Sequence, residues 1–114
     1  MPYTPSPAAA WGLLLLASVF EIARALGLKV SGGWARGGPA TIVLALALLG
    51  MWLLGLATRA LPISSAYAVW TGIGAAGTAA LGVLLFDEPL GPGRALSIAL
   101  IVAGVVGLKL LGSD

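Results

Sequence analysis

Cysteine and histidine are both absent from the 114 residues. That excludes disulfides, thiol nucleophiles and imidazole bases, and it removes the ligands of the usual zinc sites. Charge is nearly as scarce. Only 9% of residues are charged, against about 25% in an average soluble domain. Six Lys/Arg and four Asp/Glu leave a net charge of +2, with no basic cluster to hold nucleic acid or an anionic membrane surface. With no polar domain and no nucleophile beside a base, the chain is not read as an enzyme. No metal or cofactor is expected.

What is present is apolar: 60% of residues are hydrophobic. Residues 1–20, 37–58, 60–86 and 95–108 contain no charge. About 20 apolar residues span a bilayer as a helix. The pattern predicts an all-α membrane protein, a single domain over 1–114 with helices near 8–30, 38–58, 63–85 and 92–111. Arg94 and Lys109 flank the last run and can snorkel. Pro2, Pro5 and Pro7 are expected to keep the first residues extended. "SGGWARGGPA" and "FDEPLGPGR" break the chain after the first and third helices. The link "TRALP" is so short that helices two and three are expected to be antiparallel and adjacent. Asp87 and Glu88 read as solvated loop acids. Ala23-Arg24-Ala25 resembles a secretory cleavage site, but no base precedes the apolar run, and the first segment is read as retained.

Lys/Arg placement hardly selects an orientation. Arg59 and Lys109 fall on one side; Lys29, Arg36 and Arg94 fall on the other. The chain is therefore expected to insert both ways up, which permits two opposed copies to pair. Four helices can hardly enclose a solute path alone, so a dimer is the natural assembly. Ser97 and Gly104 lie seven residues apart on one stripe of helix four, near Gly107. They are the candidate seam, because small residues let helices approach closely in lipid.

The exception to the apolar pattern is "SVFEIARALGLK", Ser18 to Lys29. Glu21 and Arg24 interrupt the first hydrophobic segment. An ionisable group in a membrane is costly unless it is paired or faces a cavity, so its presence points to function. Residues three apart share a helix face, and Ser18 lies on that face one turn earlier. A carboxylate removed from water favours its protonated form and can surrender the proton to an arriving cation. Proton-coupled cation antiport uses that exchange. The bland alternative is a structural clamp in a non-transporting subunit. Helix three offers a matching face in "LPISSAYAVWTGIGAAG", Leu61 to Gly77. There Ser64, Tyr67 and Thr71 recur at helical spacing, with Trp70 beside them. The aromatic rings present donors and π faces that suit an organic cation. Gly72, Gly74 and Gly77 mark a close contact or a bendable point, with Gly72 and Gly74 the candidate hinge.

These motifs resemble the small multidrug resistance family of four-helix proton antiporters over nearly the whole chain. The resemblance rests on Glu21 with Lys29, on Ser31, Gly33, Trp34, Arg36 and Pro39, and most specifically on Leu61 to Gly77. Phe86, Glu88 to Leu90 and Gly107 to Lys109 are similar to the guanidinium-exporting branch. The resemblance implies an antiparallel dual-topology dimer in the bacterial inner membrane, pairing with a second copy or with a paralogous chain. It implies that protons and a small organic cation compete for Glu21, with Tyr67 and Trp70 beside it. Quaternary ammonium compounds and zwitterions are the alternative substrates. The chain departs from the branch at three places: Arg24 replaces a Trp, Ser18 replaces a Gly, and Gly50 replaces a Ser. Arg24 has three readings. It reaches away toward the helix end near Lys29, it pairs with Glu21 while a partner of different sequence completes a heterodimer, or it holds the carboxylate of a zwitterion. The first is the expectation adopted here.

Overall fold

A computed structural model describes residues 3–111. Pro2 and the two ends of the 1–114 range lie outside the described residues. Regular structure among them is entirely helical: α1 (Pro7–Val30), α2 (Gly37–Ala57), α3 (Ile63–Phe86) and α4 (Pro92–Leu111). α2, α3 and α4 are each long and apolar enough to cross a membrane by length and composition. α1, with 24 residues, is as long and carries Glu21, Arg24 and Lys29.

The helix ends follow from local chemistry. Pro7 was expected outside the helix but opens it. Its fixed φ and missing N–H suit the first turn, where that N–H has no intrahelical acceptor. Ser6 caps the same end, its Oγ accepting from the Ala9 N–H at 3.1 Å. α1 stops at a turn with Gly32, Gly33 and Trp34 all at positive φ. The buried Ser31 hydroxyl braces that turn, donating to Leu28 O at 2.9 Å and accepting from Trp34 N at 3.1 Å. The Arg36 guanidinium also donates to Val30 O at 3.2 Å, placing positive charge on the carbonyl end of α1. α3 ends with Asp87 in the left-handed region, and the Glu88 N–H returns to Gly82 O. A left-handed residue just past the last turn is a common way for a helix to end.

The helices lie abreast in the order α2, α1, α3, α4. α1 packs along both α2 and α3, whereas α2 and α3 approach each other far less despite their short link. The expected adjacency of α2 and α3 therefore does not hold, because α1 lies between them. A short link dictates direction, but small residues decide which backbones meet. Ala10, Ala17 and Ser18 on α1 are fully buried. A Cβ on Gly50 of α2 would touch Ala17 O and Phe20 Cβ at 3.5 Å. The molecule measures 41 × 36 × 16 Å. Since a helix with its side chains is about 10–12 Å across, the chain forms a slab little more than one helix deep. Its core lies where α1 begins and α3 follows α2: Ala10, Trp11, Leu14, Ala57, Leu61, Ala66 and Val69. α4 contributes no buried residue.

Candidate functional site

Glu21 lies beyond this core on α1, and its position is set by α3. A Cβ added to Gly74 would stand 2.8 Å from Glu21 Cγ and 3.5 Å from its Cβ. The carboxylate stem thus rests directly on the α3 backbone, which only glycine allows. From there the carboxylate opens into a cleft of about 280 Å3 lined by Glu21, Arg24, Ala47, Met51 and Trp70. Trp70 is fixed by its Nε1–H, which crosses from α3 to donate to Ala17 O on α1 at 3.3 Å. Tyr67 lies one turn before it, with ring centroids 5.7 Å apart and planes tilted by 57°.

Arg24 does not extend toward Lys29. It folds back onto Glu21, Nε donating to Oε1 at 2.9 Å and Nη2 to Oε2 at 2.5 Å. This side-on arrangement uses both carboxylate oxygens and is the geometry that makes guanidinium–carboxylate pairs strong. An outward reach would leave a membrane-embedded carboxylate without a counter-charge, whereas folding back pairs both ions. It is the one ion pair among the described residues. The side chains keep 21% (Glu21) and 27% (Arg24) of their surface exposed, so the cleft, rather than packed protein, is their boundary.

The remaining sequence candidates are distributed around this centre. Ser18 is fully buried and donates its hydroxyl to Leu14 O at 2.8 Å, so its proton serves the helix backbone rather than Glu21. Thr71 likewise donates to Tyr67 O at 2.8 Å. Ser64 is exposed in the first turn of α3 and does not line the cleft. Tyr67 is about half exposed. α3 runs unbroken through Gly72 and Gly74, and each faces a neighbour: Gly74 faces Glu21, and Gly72 faces Val105 of α4. Ser97 and Gly104 lie exposed on α4, and a Cβ on Gly104 would meet nothing within 4 Å. Two cleft residues escaped the sequence reading, Ala47 and Met51 of α2. Their spacing of one helical turn was the available signal, hidden because every face of that helix is apolar.

A second cavity, of about 260 Å3, lies among Trp11, Leu15, Val69, Val105 and Lys109. Its walls are apolar and its ionisable group is Lys109, whose Nζ sits 4.8 Å from the Trp11 ring centroid. It has no carboxylate for a cation, so the Glu21 cleft is the candidate binding site.

Comparison with known proteins agrees with the motif reading. The family described as Small Multidrug Resistance protein matches residues 9–101. A "Guanidinium exporter" of Citrobacter freundii is 48% identical over 100 residues, covering 88% of this chain and 95% of that protein. A protein of the same description from Yersinia pseudotuberculosis is 48% identical over 101 residues, covering 89% and 97%. One from Salmonella typhimurium strain LT2 is 47% identical over 100 residues, covering 88% and 95%.

Proposed function

The chain belongs to the small multidrug resistance family, and from that premise we propose that it exports guanidinium-like or other small organic cations in exchange for protons. Glu21 is the exchanging group. The observation that carries this reading is a carboxylate held on Gly74 at the mouth of a cleft with Trp70 on its wall. Proton and cation compete for the Glu21 carboxylate with Arg24, whose guanidinium engages both oxygens and occupies the place a guanidinium substrate would take. Because a protonated Glu21 has lost the charge that holds a cation, binding of the two is mutually exclusive, and exclusivity couples their movements. Trp70 and Tyr67 offer ring faces to the cation, whereas Ser18 and Thr71 spend their hydroxyls on the helix backbone and Ser64 lies outside the cleft.

The working unit in this proposal is an antiparallel pair of identical chains, multi-pass in the bacterial inner membrane. A slab one helix deep has one open face at Glu21 and needs a second slab to enclose it. The near balance of Lys/Arg on the two sides supports opposed insertion. The exposed Ser97–Gly104 stripe of α4 is the proposed seam. Flexing of α3 at Gly72 and Gly74 would let the site change face.

The deciding experiment is guanidinium uptake into proteoliposomes driven by a proton gradient. Glu21→Gln preserves shape but cannot exchange a proton, and it should abolish driven uptake while leaving the dimer intact. Undiminished driven uptake would refute the mechanism. The side-on Arg24 contact favours one rival, a non-transporting subunit in which the pair is a clamp. That rival requires that guanidinium release no protons from the detergent-solubilised protein.

A further inference from the structure

Arg24 alters what the cleft can hold. A guanidinium has five N–H donors, and only two of Arg24's are engaged, both by Glu21. The pair is internally neutral, partly exposed, and bordered by Ala47, Met51 and Trp70, none of which carries charge. A bare cation that takes Glu21 from Arg24 satisfies itself and strands the guanidinium beside it. Uncompensated charge in a poorly solvated site is expensive, and breaking one side of an ion pair costs more than the pair itself contributes. A second copy of the chain does not relieve this, since it brings another Glu21–Arg24 pair and no net charge.

A ligand bearing both signs escapes that penalty. Its cationic group takes the Glu21 carboxylate and its carboxylate takes the freed Arg24 fork. One neutral pair then becomes a closed ring of four alternating charges. Because Glu21 and Arg24 touch at rest, the ligand's two charges must also lie close together. A cleft of about 280 Å3 suits a small ligand, on the order of ten heavy atoms. We infer that the Glu21–Arg24 cleft is built for a small zwitterion, a guanidino or ammonium carboxylate with its charges one or two carbons apart. The inference rests on the reading of Glu21 as the substrate site. It narrows the substrate from organic cations at large to those carrying an anionic arm, and Arg24 is the specificity-determining residue.

The test compares uptake of guanidinoacetate and of guanidinium into proteoliposomes of the full chain. Wild type should favour guanidinoacetate by about tenfold or more, a ratio worth about 1.4 kcal/mol per factor of ten. Arg24→Gln keeps a polar side chain without the charge and should invert that preference. Glu21→Gln should abolish uptake of both. Should wild type carry guanidinium as well as or better than guanidinoacetate, with both lost in Glu21→Gln, the zwitterion is wrong and the cation exporter stands. Should Glu21→Gln leave both uptakes intact, the substrate-site reading itself fails. Uptake of neither compound by wild type also overturns the inference. If Arg24→Gln does not fold, the wild-type ratio still decides.

Discussion

α1 and α4 are close in length and opposite in circumstance. α1 is flanked by α2 and α3, buries Ala10, Leu14, Ala17 and Ser18 completely, and is capped by Ser6 and Ser31. α4 approaches only α3 closely, buries nothing, and exposes Leu96, Leu100, Val102, Val106 and Leu110. Composition separates them by charge, since α4 is apolar enough to cross a membrane and α1 carries Glu21, Arg24 and Lys29. The difference in packing lies in small and polar residues. Those on α1 let neighbouring backbones come close and position Glu21. Those on α4, Ser97 and Gly104, face outward with nothing against them. The single chain has thus packed around α1 and left α4 largely uncovered.

The sharpest way to break this contrast is at Leu14, which is fully buried in the α1 core. Leu14→Ala should cost about 2–5 kcal/mol through the cavity it leaves. Thermal unfolding in detergent, with Leu100→Ala on α4 as the exposed control, reads the difference. Equal losses from the two substitutions would mean that α1 is not the organising helix. A smaller effect is expected where α4 does touch its neighbour. A Cβ at Gly72 would stand 2.5 Å from Val105 Cγ2, so Gly72→Ala should cost about 1–3 kcal/mol by overpacking. Val105→Ala in the same chain should recover much of that loss, because the two sites share one contact. The smallest effect on folding is expected at Gly104, where open space surrounds the added atoms. Gly104→Val should leave the unfolding temperature of the isolated chain unchanged and yet weaken dimerisation, measured by cross-linking at graded detergent-to-protein ratios. Unaltered cross-linking would remove Gly104 from the proposed seam.

Much of this was legible in the sequence, for physical reasons that also mark where legibility stops. Long uncharged runs separated by Pro- and Gly-rich breaks leave the chain few options but helices, and four are present. The i, i+3 spacing of Glu21 and Arg24 determines that they share a face. It does not determine whether a long guanidinium folds back or reaches onward, since both rotamer families are open to an isolated helix. The neutral, half-enclosed cleft favours folding back, and that cleft exists only once α2 and α3 flank α1. The same limit explains the order of helices. "TRALP" makes α3 reverse direction but says nothing of α1 slipping between it and α2. Glycine was readable as either contact or bend. Only coordinates reveal that Gly74 lies under a carboxylate stem and Gly72 under Val105.

The thinness of the slab has a genetic consequence. If the working unit is the proposed pair, a wall 16 Å deep does no work until it meets another, and a defect in one allele is not confined to that allele's product. In a cell expressing an altered chain beside the normal one, random pairing puts a faulty wall into most assemblies. Glu21→Gln should therefore behave as a dominant lesion, suppressing export below what the remaining normal gene would supply alone.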